Sequence, residues 1–404
     1  FFFQAEDGIR YAQESRGLGD VYKRQREFVS QGHQLTVILP SQKLNQLWKI
    51  EEKEGFQVIY LRAPKLKDIN YFRRTLGEIL MPFLMRRSLR KSPLANEIWD
   101  GVVWYSPSIF HGPLVSKLKK ISGCKSYLIL RDIFPEWALD MGLMRRGLPY
   151  YFFSVIAQYQ YSVADVIGVQ ASGNLTYFSD LPKKSTRRVE VLQNWLGKVS
   201  YKDCSIQLNN TSLAGRKIFI YAGNMGVAQG MGILLDLAEQ LKEHKDIGFL
   251  FVGRGSFTKR LKEDTQSRKL DNVLFFDEIH PDEIPGLYAQ CSIGLVALDE
   301  RHKSHNIPGK FLTYLQSGLP VLANVNSGND LAEIIRSKQV GKVSESNKVQ
   351  DLLEIAKELL IEIDGDSAIA NRCHQFFEQD FSAKKAVHQI VSCLLYTSPS
   401  PRDS

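Results

Sequence analysis

Short apolar segments rich in β-branched and aromatic residues recur along the first half of the chain, separated by longer segments with helical periodicity. The strands predicted there are residues 35–39, 57–61, 101–105, 126–131, 165–170 and 189–192. Strands that alternate with helices build a mostly parallel sheet with helices on both faces, so the predicted class is α/β. Ligands of such sheets bind beyond the carboxyl ends of the strands, and these ends therefore hold the candidate functional residues.

The composition changes near residue 199, where a polar stretch precedes a second series of strands and helices. The second series comprises strands at residues 217–222, 248–252, 273–276 and 292–297, and a further strand after Gly318-Leu319-Pro320. The predicted organisation is a domain at residues 26–198, a linker at 199–216, a second domain at 217–382, and a helix at 383–393 that packs back on the first domain.

The two ends of the chain follow neither pattern. Residues 1–25 and 394–404 resemble translated sequencing-adaptor sequence, and we set them aside as non-native tails; genuine disordered tails are the alternative. The remaining sequence begins within a helix at Arg26, ahead of the strand at 35–39. A doubly wound domain has a strand before that helix, so the first strand is expected to be missing.

The composition of the 404-residue chain, with 44% hydrophobic and 24% charged residues, is that of a soluble globular protein. No apolar run approaches the roughly 18 residues that a membrane-spanning helix requires. The five cysteines are scattered without metal-ligand spacing, which indicates a reducing, cytoplasmic setting and no structural metal. The net charge of +8 and the pI near 9.0 favour an anionic partner.

Two predicted strand ends of the second domain carry glycines. Gly223-Asn224-Met225-Gly226, followed by Gln229 and Gly230, comes after the strand at 217–222, and Gly253-Arg254-Gly255 comes after the strand at 248–252. Glycine lets the backbone approach a ligand and direct N–H groups at a phosphate, which Arg254 could also grip. The spacing is neither that of dinucleotide-binding folds nor that of P-loop proteins, which disfavours both classes.

A third candidate segment runs from Asn306 to Asn324 and is predicted to be a loop, a short helix and a buried strand. Pro308 and Gly309 prepare the helix start, and Lys310 lies in the first turn. The N-terminus is the positive end of the helix dipole, so a lysine there is unfavourable unless an anion binds. A solvated surface lysine on an ordinary connection is the alternative.

In the first domain, Asp132 follows the strand at 126–131, and His111 lies in the loop after the strand at 101–105. Asp132 could act as a general base or accept a substrate hydroxyl. The structural alternatives are a cap on the helix that Pro135 opens, or half of an Arg131–Asp132 pair. His111 has the same functional and structural alternatives, and loop histidines are usually not catalytic.

The segment from Tyr71 to Lys91 has an apolar centre, Leu76 to Met85, between basic ends. Its charged residues are Arg73, Arg74, Arg86, Arg87, Arg90 and Lys91, against the single acid Glu78. Such a helix suits the surface of an anionic membrane, whereas a core-packed helix with solvated ends, bent at Pro82, is the alternative. Nucleic-acid binding is disfavoured, because no exposed aromatic residues are interleaved with the charges.

Together, the three candidate segments of the second domain, with Ser317-Gly318-Leu319-Pro320-Val321, resemble the donor domain of the retaining glycosyltransferases of family 4. That family has the GT-B fold, in which two Rossmann-like domains with parallel sheets face each other across a cleft. Arg131-Asp132-Ile133-Phe134-Pro135-Glu136 and the first glycine loop are similar to a fucosamine-transferase-like branch of O-antigen and capsule synthesis. The resemblance covers about residues 26–393.

The resemblance implies transfer of a sugar from a nucleoside diphosphate sugar, commonly UDP-linked, to a lipid-linked or saccharide acceptor, with retention and without a metal or other cofactor. The donor-binding residues that it implies are Gly223, Asn224, Met225, Gly226, Gln229, Gly253, Arg254, Ile279, Ile307, Pro308, Gly309, Lys310 and Thr313. Asp132 falls near the place of the family's catalytic-site histidine and is therefore the candidate catalytic residue, which would orient the acceptor or accept its proton. His111 and His305 are the candidate contacts to the sugar or the acceptor.

The sequence departs from the family pattern at four of these positions. Asn224 and Gln229 are neutral where the family carries an arginine and a lysine, and His305 and Thr313 stand where it carries two glutamates. Arg254 and Lys310 therefore remain to neutralise the leaving diphosphate, a role in which preorganised positive charge stabilises the developing anion.

The expected function is transfer of a hexosamine-type sugar from a UDP donor to a membrane-anchored glycan in bacterial cell-surface polysaccharide synthesis. The protein is expected at the cytoplasmic face of the plasma membrane, with residues 71–91 as a reversible membrane contact. A UDP-sugar 2-epimerase of the same architecture and a non-catalytic nucleotide-sugar-binding protein are the alternatives. The expected loss of the first strand puts the activity of this chain in doubt.

Overall fold

The computed structural model describes residues 2–4, 25–66, 70–106, 108–131, 133–140, 142–179, 187–197, 202–226, 229–299 and 307–395. The chain divides into two compact units, the first made of residues 1–193 and 383–404 and the second of residues 194–382. Both units are α/β, which confirms the predicted class. In the part of the chain that the structure describes, every helix is too short or too polar to span a membrane.

The first unit contains an eight-stranded sheet among its described residues, with the strand order β3-β4-β2-β1-β5-β6-β7-β8. Its strands are β1 (Phe2–Gln4), β2 (Thr36–Ser41), β3 (Trp48–Lys53), β4 (Phe56–Arg62), β5 (Gly101–Ser106), β6 (Lys125–Leu130), β7 (Val166–Val169) and β8 (Arg188–Val191). Neighbouring strands are parallel except β3 and β4, which form an antiparallel hairpin at the sheet edge. Its helices include α1 (residues 25–30), α2 (Tyr71–Leu89), α3 (Gly112–Ser122), α4 (Glu136–Asp140) and α5 (Leu148–Val163).

The structure corrects the expectation of a missing first strand. Phe2–Gln4 forms β1, which pairs in parallel with β2 on one side and β5 on the other. A central gap between β2 and β5 would leave the backbone N–H and C=O groups of both strands unpaired, and an extended three-residue segment satisfies them. Three residues are too few to display a strand periodicity, which is why the pattern did not reveal β1.

The segment from Tyr71 to Lys91 combines features of both alternatives considered for it. Helix α2 starts after Asn70, whose side chain accepts a hydrogen bond from the Arg73 N–H at 2.9 Å. One face of α2, including Met81 and Met85, is buried in the core of the first unit. The opposite face leaves large apolar side chains exposed, namely Leu76, Leu80, Phe83 and Leu84.

The second unit contains a six-stranded parallel sheet among its described residues, with the order β11-β10-β9-β12-β13-β14. Its strands are β9 (Lys217–Ala222), β10 (Ile247–Val252), β11 (Val273–Phe276), β12 (Ile293–Ala297), β13 (Val321–Asn324) and β14 (Gly341–Ser344). Its helices include α6 (Gly232–Gln240), α7 (Thr258–Ser267), α8 (Ile284–Tyr288), α9 (Gly309–Gln316), α10 (Asp330–Lys338), α11 (Val349–Gly365) and α12 (Ile369–Asp380). This order is that of a Rossmann fold, in which the direction of winding reverses between β9 and β12.

The last described helix, α13 (Ala383–Leu395), belongs to the first unit although it follows the second in sequence. The Gln389 side chain donates hydrogen bonds to Glu190 Oε1 at 2.7 Å and to the Val191 carbonyl at 2.8 Å. Its apolar face, which includes Val387 and Ile390, is buried. The chain therefore returns to the sheet of the first unit over this helix.

Candidate functional site

Strands β9 and β12 of the second unit diverge at their carboxyl ends. They pair through Ile293 with Phe219 and Gly294 with Ile220, whereas β9 pairs with β10 along its full length. Rossmann-type sheets bind ligands in the crevice that opens where the winding reverses. The predicted donor-binding segments follow β9, β10 and β12, and the topology thus gathers them at one edge of one sheet.

Tyr314 of α9 occupies the opening between β9 and β12. Its hydroxyl lies 3.1 Å from the Ile220 carbonyl and 3.2 Å from the Leu295 carbonyl, and it accepts a hydrogen bond from the Ala222 N–H at 3.3 Å. The ring passes over Gly294, where an added Cβ would lie 2.5 Å from ring carbons. One buried hydroxyl therefore satisfies backbone groups that the divergence leaves unpaired, and it fixes the position of α9.

The loops after β9 and β10 contact each other through glycine backbone. Gly223 and Gly253 have φ values of +139° and +138°, which side-chain-bearing residues rarely adopt. An added Cβ on Gly253 would lie 2.1 Å from the Gly223 carbonyl oxygen. The Met225 N–H donates to the Arg254 carbonyl at 2.8 Å, which ties the two loops together. The glycine-rich strand ends thus form one continuous backbone surface.

Lys310 brings its charge to this backbone surface from the first turn of α9. Its Cε would lie 3.7 Å from a Cβ built on Gly223, so the side chain passes beside the Gly223 turn. Its Nζ donates to the Tyr221 hydroxyl at 2.9 Å and lies 4.4 Å from the centre of that ring. The Tyr221 hydroxyl donates in turn to the Asn224 carbonyl at 2.8 Å. Burial lowers the pKa of Lys310 from its ordinary value of 10.5 to about 8.

Thr313 lies one turn after Lys310 on α9. Its hydroxyl donates to the Lys310 carbonyl at 2.9 Å and lies 3.3 Å from the hydroxyl of the buried Tyr288. The threonine therefore strengthens the first turn of the helix and links α9 to α8. Tyr221, Tyr288 and Tyr314 are not among the residues that the sequence motifs predict, although Tyr314 stands four residues after Lys310 and so on the same side of a predicted helix.

Arg254, the other predicted cation, has a carboxylate partner in the structure. Its Nε lies 3.0 Å from Oε2 of Glu278, which follows β11. The Arg254 side chain is half exposed, so the ion pair is weak and its geometry is free to change. Of the two cations predicted to contact the diphosphate, Lys310 is thus held beside the glycine turn and Arg254 is held towards Glu278.

Of the two neutral side chains of the first glycine loop, that of Gln229 is hydrogen-bonded to the loop itself. Gln229 Oε1 accepts a hydrogen bond from the Gly226 N–H at 3.0 Å, whereas the Asn224 side chain is exposed. Gln229 therefore occupies one of the N–H groups that the sequence assigns to a phosphate.

Several predicted donor-binding side chains pack into the core instead of lining the sheet edge. Met225 and Ile307 are buried in separate core clusters, and the partly buried Ile279 packs against the cluster that contains Ile307. These three positions offer backbone groups, and their side chains fix the loops. Pro308 immediately precedes α9, and Gly309 is its exposed first residue.

The candidate residues of the first unit are only partly described. Asp132, and His305 of the second unit, lie outside the described residues. His111 is fully buried immediately before α3 and is not a surface loop histidine. Arg131 is buried as well, and its guanidinium donates to the Leu192 carbonyl at 3.2 Å. The carboxyl ends of β5 and β6 are therefore built from buried polar side chains.

Comparisons with known proteins agree with this architecture. Residues 216–362 match the sequence model of the family Glycosyl transferases group 1. The chain is 23% identical over 351 residues to the putative colanic acid biosynthesis glycosyl transferase WcaI of Escherichia coli K12, covering 81% of this chain and 84% of that protein. It is 22% identical over 283 residues to the probable glycosyltransferase WbjE of Pseudomonas aeruginosa, covering 69% of this chain and 70% of that protein.

Solved structures resemble the chain over nearly its whole length. Sucrose-phosphate synthase from Thermosynechococcus elongatus superposes with a TM-score of 0.71 at 13% identity and 97% coverage of both chains. Anabaena HepE in complex with UDP gives 0.64 at 16% identity, covering 97% of this chain and 98% of HepE. WaaG, a glycosyltransferase involved in lipopolysaccharide biosynthesis, gives 0.61 at 14% identity, covering 98% of this chain and 100% of WaaG. Residues 216–362 of the second unit are therefore similar to the glycosyl transferases group 1 family, and the chain has the GT-B fold that the sequence predicted.

Proposed function

We propose that the protein is a retaining glycosyltransferase of family 4, in the fucosamine-transferase-like branch. It transfers a sugar of the N-acetylhexosamine type from a UDP-sugar to a lipid-linked or saccharide acceptor in the synthesis of a bacterial cell-surface polysaccharide, such as an O-antigen or a capsule. The names of WcaI and WbjE, and the UDP held by HepE, support the reaction class and the donor. The reaction requires no metal in this proposal.

The observation that carries the proposal is the place of Lys310. Its Nζ is held by Tyr221 beside the Gly223 turn, at the point where the winding of the sheet reverses. A diphosphate at this edge would meet the N-terminal N–H groups of α9 and one ammonium group, which together stabilise the charge of a departing UDP. Protonated Lys310 is the species that serves this role.

Binding of UDP to the Lys310→Met variant tests the donor site. Loss of one charge-assisted contact corresponds to about 1.5–3 kcal/mol, so the dissociation constant should rise about 10- to 150-fold. Lys259→Met on α7 is the matched control, because that lysine is 89% exposed in the same unit and should bind UDP as the wild type does. Equal UDP affinity in wild type and Lys310→Met, measured by titration calorimetry, would remove Lys310 from the donor site.

Product analysis with a UDP-N-acetylhexosamine separates the proposed transfer from its alternatives. UDP release that requires an added lipid-linked acceptor supports the transferase, and the anomeric configuration of the product tests retention. Formation of an epimer without an acceptor would instead indicate a 2-epimerase, and binding without turnover a non-catalytic protein. Activity that persists in excess EDTA supports a metal-independent reaction.

The proposed acceptor is anchored in a membrane, and the basic residues of α2 and its C-terminal end form the proposed peripheral contact at the cytoplasmic face. Arg87, Arg90 and Lys91 are exposed and Arg86 is partly exposed, so their charges can reach lipid headgroups. Replacement of these four residues by glutamate should abolish sedimentation with anionic vesicles. The control reverses Lys259 and Lys262 on α7 of the second unit; loss of sedimentation in both variants would indicate a general charge effect.

A further inference from the structure

Helix α5 is uncharged and rich in large apolar side chains, and its polar residues are Ser154, Gln158, Gln160 and Ser162. The sequence of Leu148–Val163 contains no charged residue. Its inner face packs in the core of the first unit through Ala157 and Tyr161, which are buried, and Phe153 and Ile156, which are partly buried. The packed face leaves several large apolar side chains of α5 outside the core, whereas a surface helix of a globular protein normally turns polar residues outward.

The outer face of α5 exposes a stripe of large apolar side chains, with the polar Gln158 and Ser162 towards its C-terminal end. The stripe consists of Leu148, Tyr151, Phe152, Val155 and Tyr159, which recur at the spacing of one helix face. Leu148 is 88% exposed and Val155 is 70% exposed, so the core of the first unit covers little of either side chain. A contiguous exposed apolar patch marks an interaction surface, whereas single exposed apolar residues do not. Tyrosine and phenylalanine beside aliphatic residues are the composition typical of the membrane–water interface.

Helix α2 presents a second exposed apolar stripe in the same helix layer. Leu76, Leu80, Phe83 and Leu84 lie on its outer face, and both α2 and α5 pack against α3. The outer surface of this layer is therefore apolar on two of its three helices. Ile121, near the C-terminal end of α3, is also exposed.

Positive charge surrounds the two stripes. Arg145 and Arg146 are exposed immediately before α5, and residues 142–163 contain no acid. Glu78, the single acid between residues 71 and 91, is paired with Arg74 at 2.9 Å. Apolar stripes flanked by an excess of arginines over acids match an anionic lipid surface, and two such surfaces facing each other would repel.

We propose that the outer faces of α5 and α2 form one membrane-insertion surface, in which the α5 stripe penetrates an anionic bilayer and the flanking arginines contact the headgroups. The proposal goes beyond the peripheral contact of α2, because electrostatic attraction alone needs no exposed aromatic stripe. Insertion of α5 also predicts that vesicle binding depends less on salt than a purely electrostatic contact does. Screening weakens a purely electrostatic contact strongly, whereas burial of the α5 side chains should preserve part of the binding at high ionic strength.

Vesicle sedimentation of a Leu148→Glu, Val155→Glu double variant tests the proposal. The probe is a vesicle of mixed phosphatidylcholine and phosphatidylglycerol, and the double variant should partition at least about tenfold more weakly than wild type. Ile361→Glu is the matched control, because Ile361 is a 74% exposed aliphatic residue on α11 of the second unit. Circular dichroism and thermal unfolding establish that the variants are folded; Tyr151→Ser with Tyr159→Ser replaces the double variant if it unfolds.

A tryptophan at position 151 reports insertion directly. Fluorescence of Tyr151→Trp, corrected for the wild-type tryptophans, should be quenched by lipids with brominated acyl chains. Wild-type partition of the α5 variants, or no quenching, would overturn the proposal, even if the α2 charge reversal still abolishes binding. A wild-type dimer that the α5 substitutions convert to a monomer would also overturn it, by assigning the stripe to self-association. The UDP affinity of the α5 variants is measured in parallel and should equal that of the wild type. A loss of vesicle binding at unchanged UDP affinity then tests the membrane surface separately from the donor site.

Discussion

The two sheets of the molecule share one strand order but differ in how their carboxyl edges are built. In the first unit the order β4-β2-β1-β5-β6-β7 repeats the order β11-β10-β9-β12-β13-β14 of the second. The edge of the second sheet is formed by backbone, with Gly223 and Gly253 at positive φ and neighbouring loops in contact. The edge of the first sheet holds buried polar side chains, including Ser106, His111 and Arg131.

This difference bears on which of the two edges is suited to bind a phosphate. A common strand order positions a strand edge but specifies no ligand, so function depends on the residues placed there. An edge of glycine turns presents N–H groups and admits a phosphate closely, whereas an edge of packed polar side chains has a fixed surface. Substitutions at the edge of the second sheet should therefore have effects that control substitutions outside the contacts of that edge do not reproduce.

The largest expected effect is that of Gly253→Ala. The new Cβ would lie 2.1 Å from the Gly223 carbonyl oxygen at a φ of +138°, and a backbone neighbour cannot move aside as a side chain can. We expect a loss of at least about 3 kcal/mol in the free energy of unfolding, measured by urea denaturation.

Gly309→Ala is the control for this prediction. A Cβ at Gly309 would have no atom within 4 Å, and the residue begins α9, so stability should change by less than about 1 kcal/mol. Similar losses in both variants would contradict the view that the backbone contact of the two loops is the sensitive feature.

The next effect concerns two buried tyrosines. Tyr314→Phe removes the hydroxyl that joins β9 to β12, leaving the Ile220 and Leu295 carbonyls without it, and should cost about 1–3 kcal/mol. Tyr161→Phe in α5 removes a buried hydroxyl that has no hydrogen-bond partner within the described ranges, and should be neutral or stabilising. Denaturant unfolding of both variants measures the difference, and equal destabilisation would refute the role assigned to the Tyr314 hydroxyl.

The sequence predicts the glycine turns and the start of α9, because local signals such as Pro308 and the glycines mark them. It did not reveal the Tyr314 hydroxyl as a link between strands, since the partners of Tyr314 lie 94 and 19 residues away in the chain. The exposed face of α5 cannot be predicted from the sequence for a similar reason. Periodicity identifies an apolar face, but only the packed structure shows which face remains uncovered.

The lowered pKa of Lys310 predicts that UDP affinity depends on pH at the edge of the second sheet. With a pKa of about 8, Lys310 is charged below pH 8 and loses its charge above it. UDP affinity should therefore be constant between pH 7 and the pKa, and should fall by up to about tenfold per pH unit above pH 8. Lys310→Arg keeps its charge throughout this range and should abolish the decline. Titration calorimetry from pH 7 to about 9.5 measures both proteins, and a parallel decline would assign the titration to another group.

The lowered pKa of Lys310 predicts that stability rises with pH, in the opposite direction to UDP affinity. The pKa in the folded state lies below the ordinary value of 10.5, so the unfolded chain binds more protons between pH 8 and 10.5 and the contribution of Lys310 to stability rises through that window. Below pH 8 the buried charge carries its full desolvation cost. Lys310→Met should therefore raise the thermal midpoint at pH 7 by a few degrees while it weakens UDP binding, and a lowered midpoint would contradict the sign.

The smallest expected effect is that of Glu278→Gln, which removes the partner of Arg254. The pair is exposed, so its loss should change the free energy of unfolding by less than about 1 kcal/mol. The released guanidinium would no longer be held by a carboxylate at the edge of the second sheet, and UDP affinity should rise about two- to fivefold because one competing anion is gone. Arg254→Gln should lower the affinity, and the double variant should match Arg254→Gln alone. If the double variant binds UDP more tightly than Arg254→Gln, Glu278 acts on the diphosphate independently of Arg254. Among the described residues, Lys310 would then be the one cation with an assigned role at this edge.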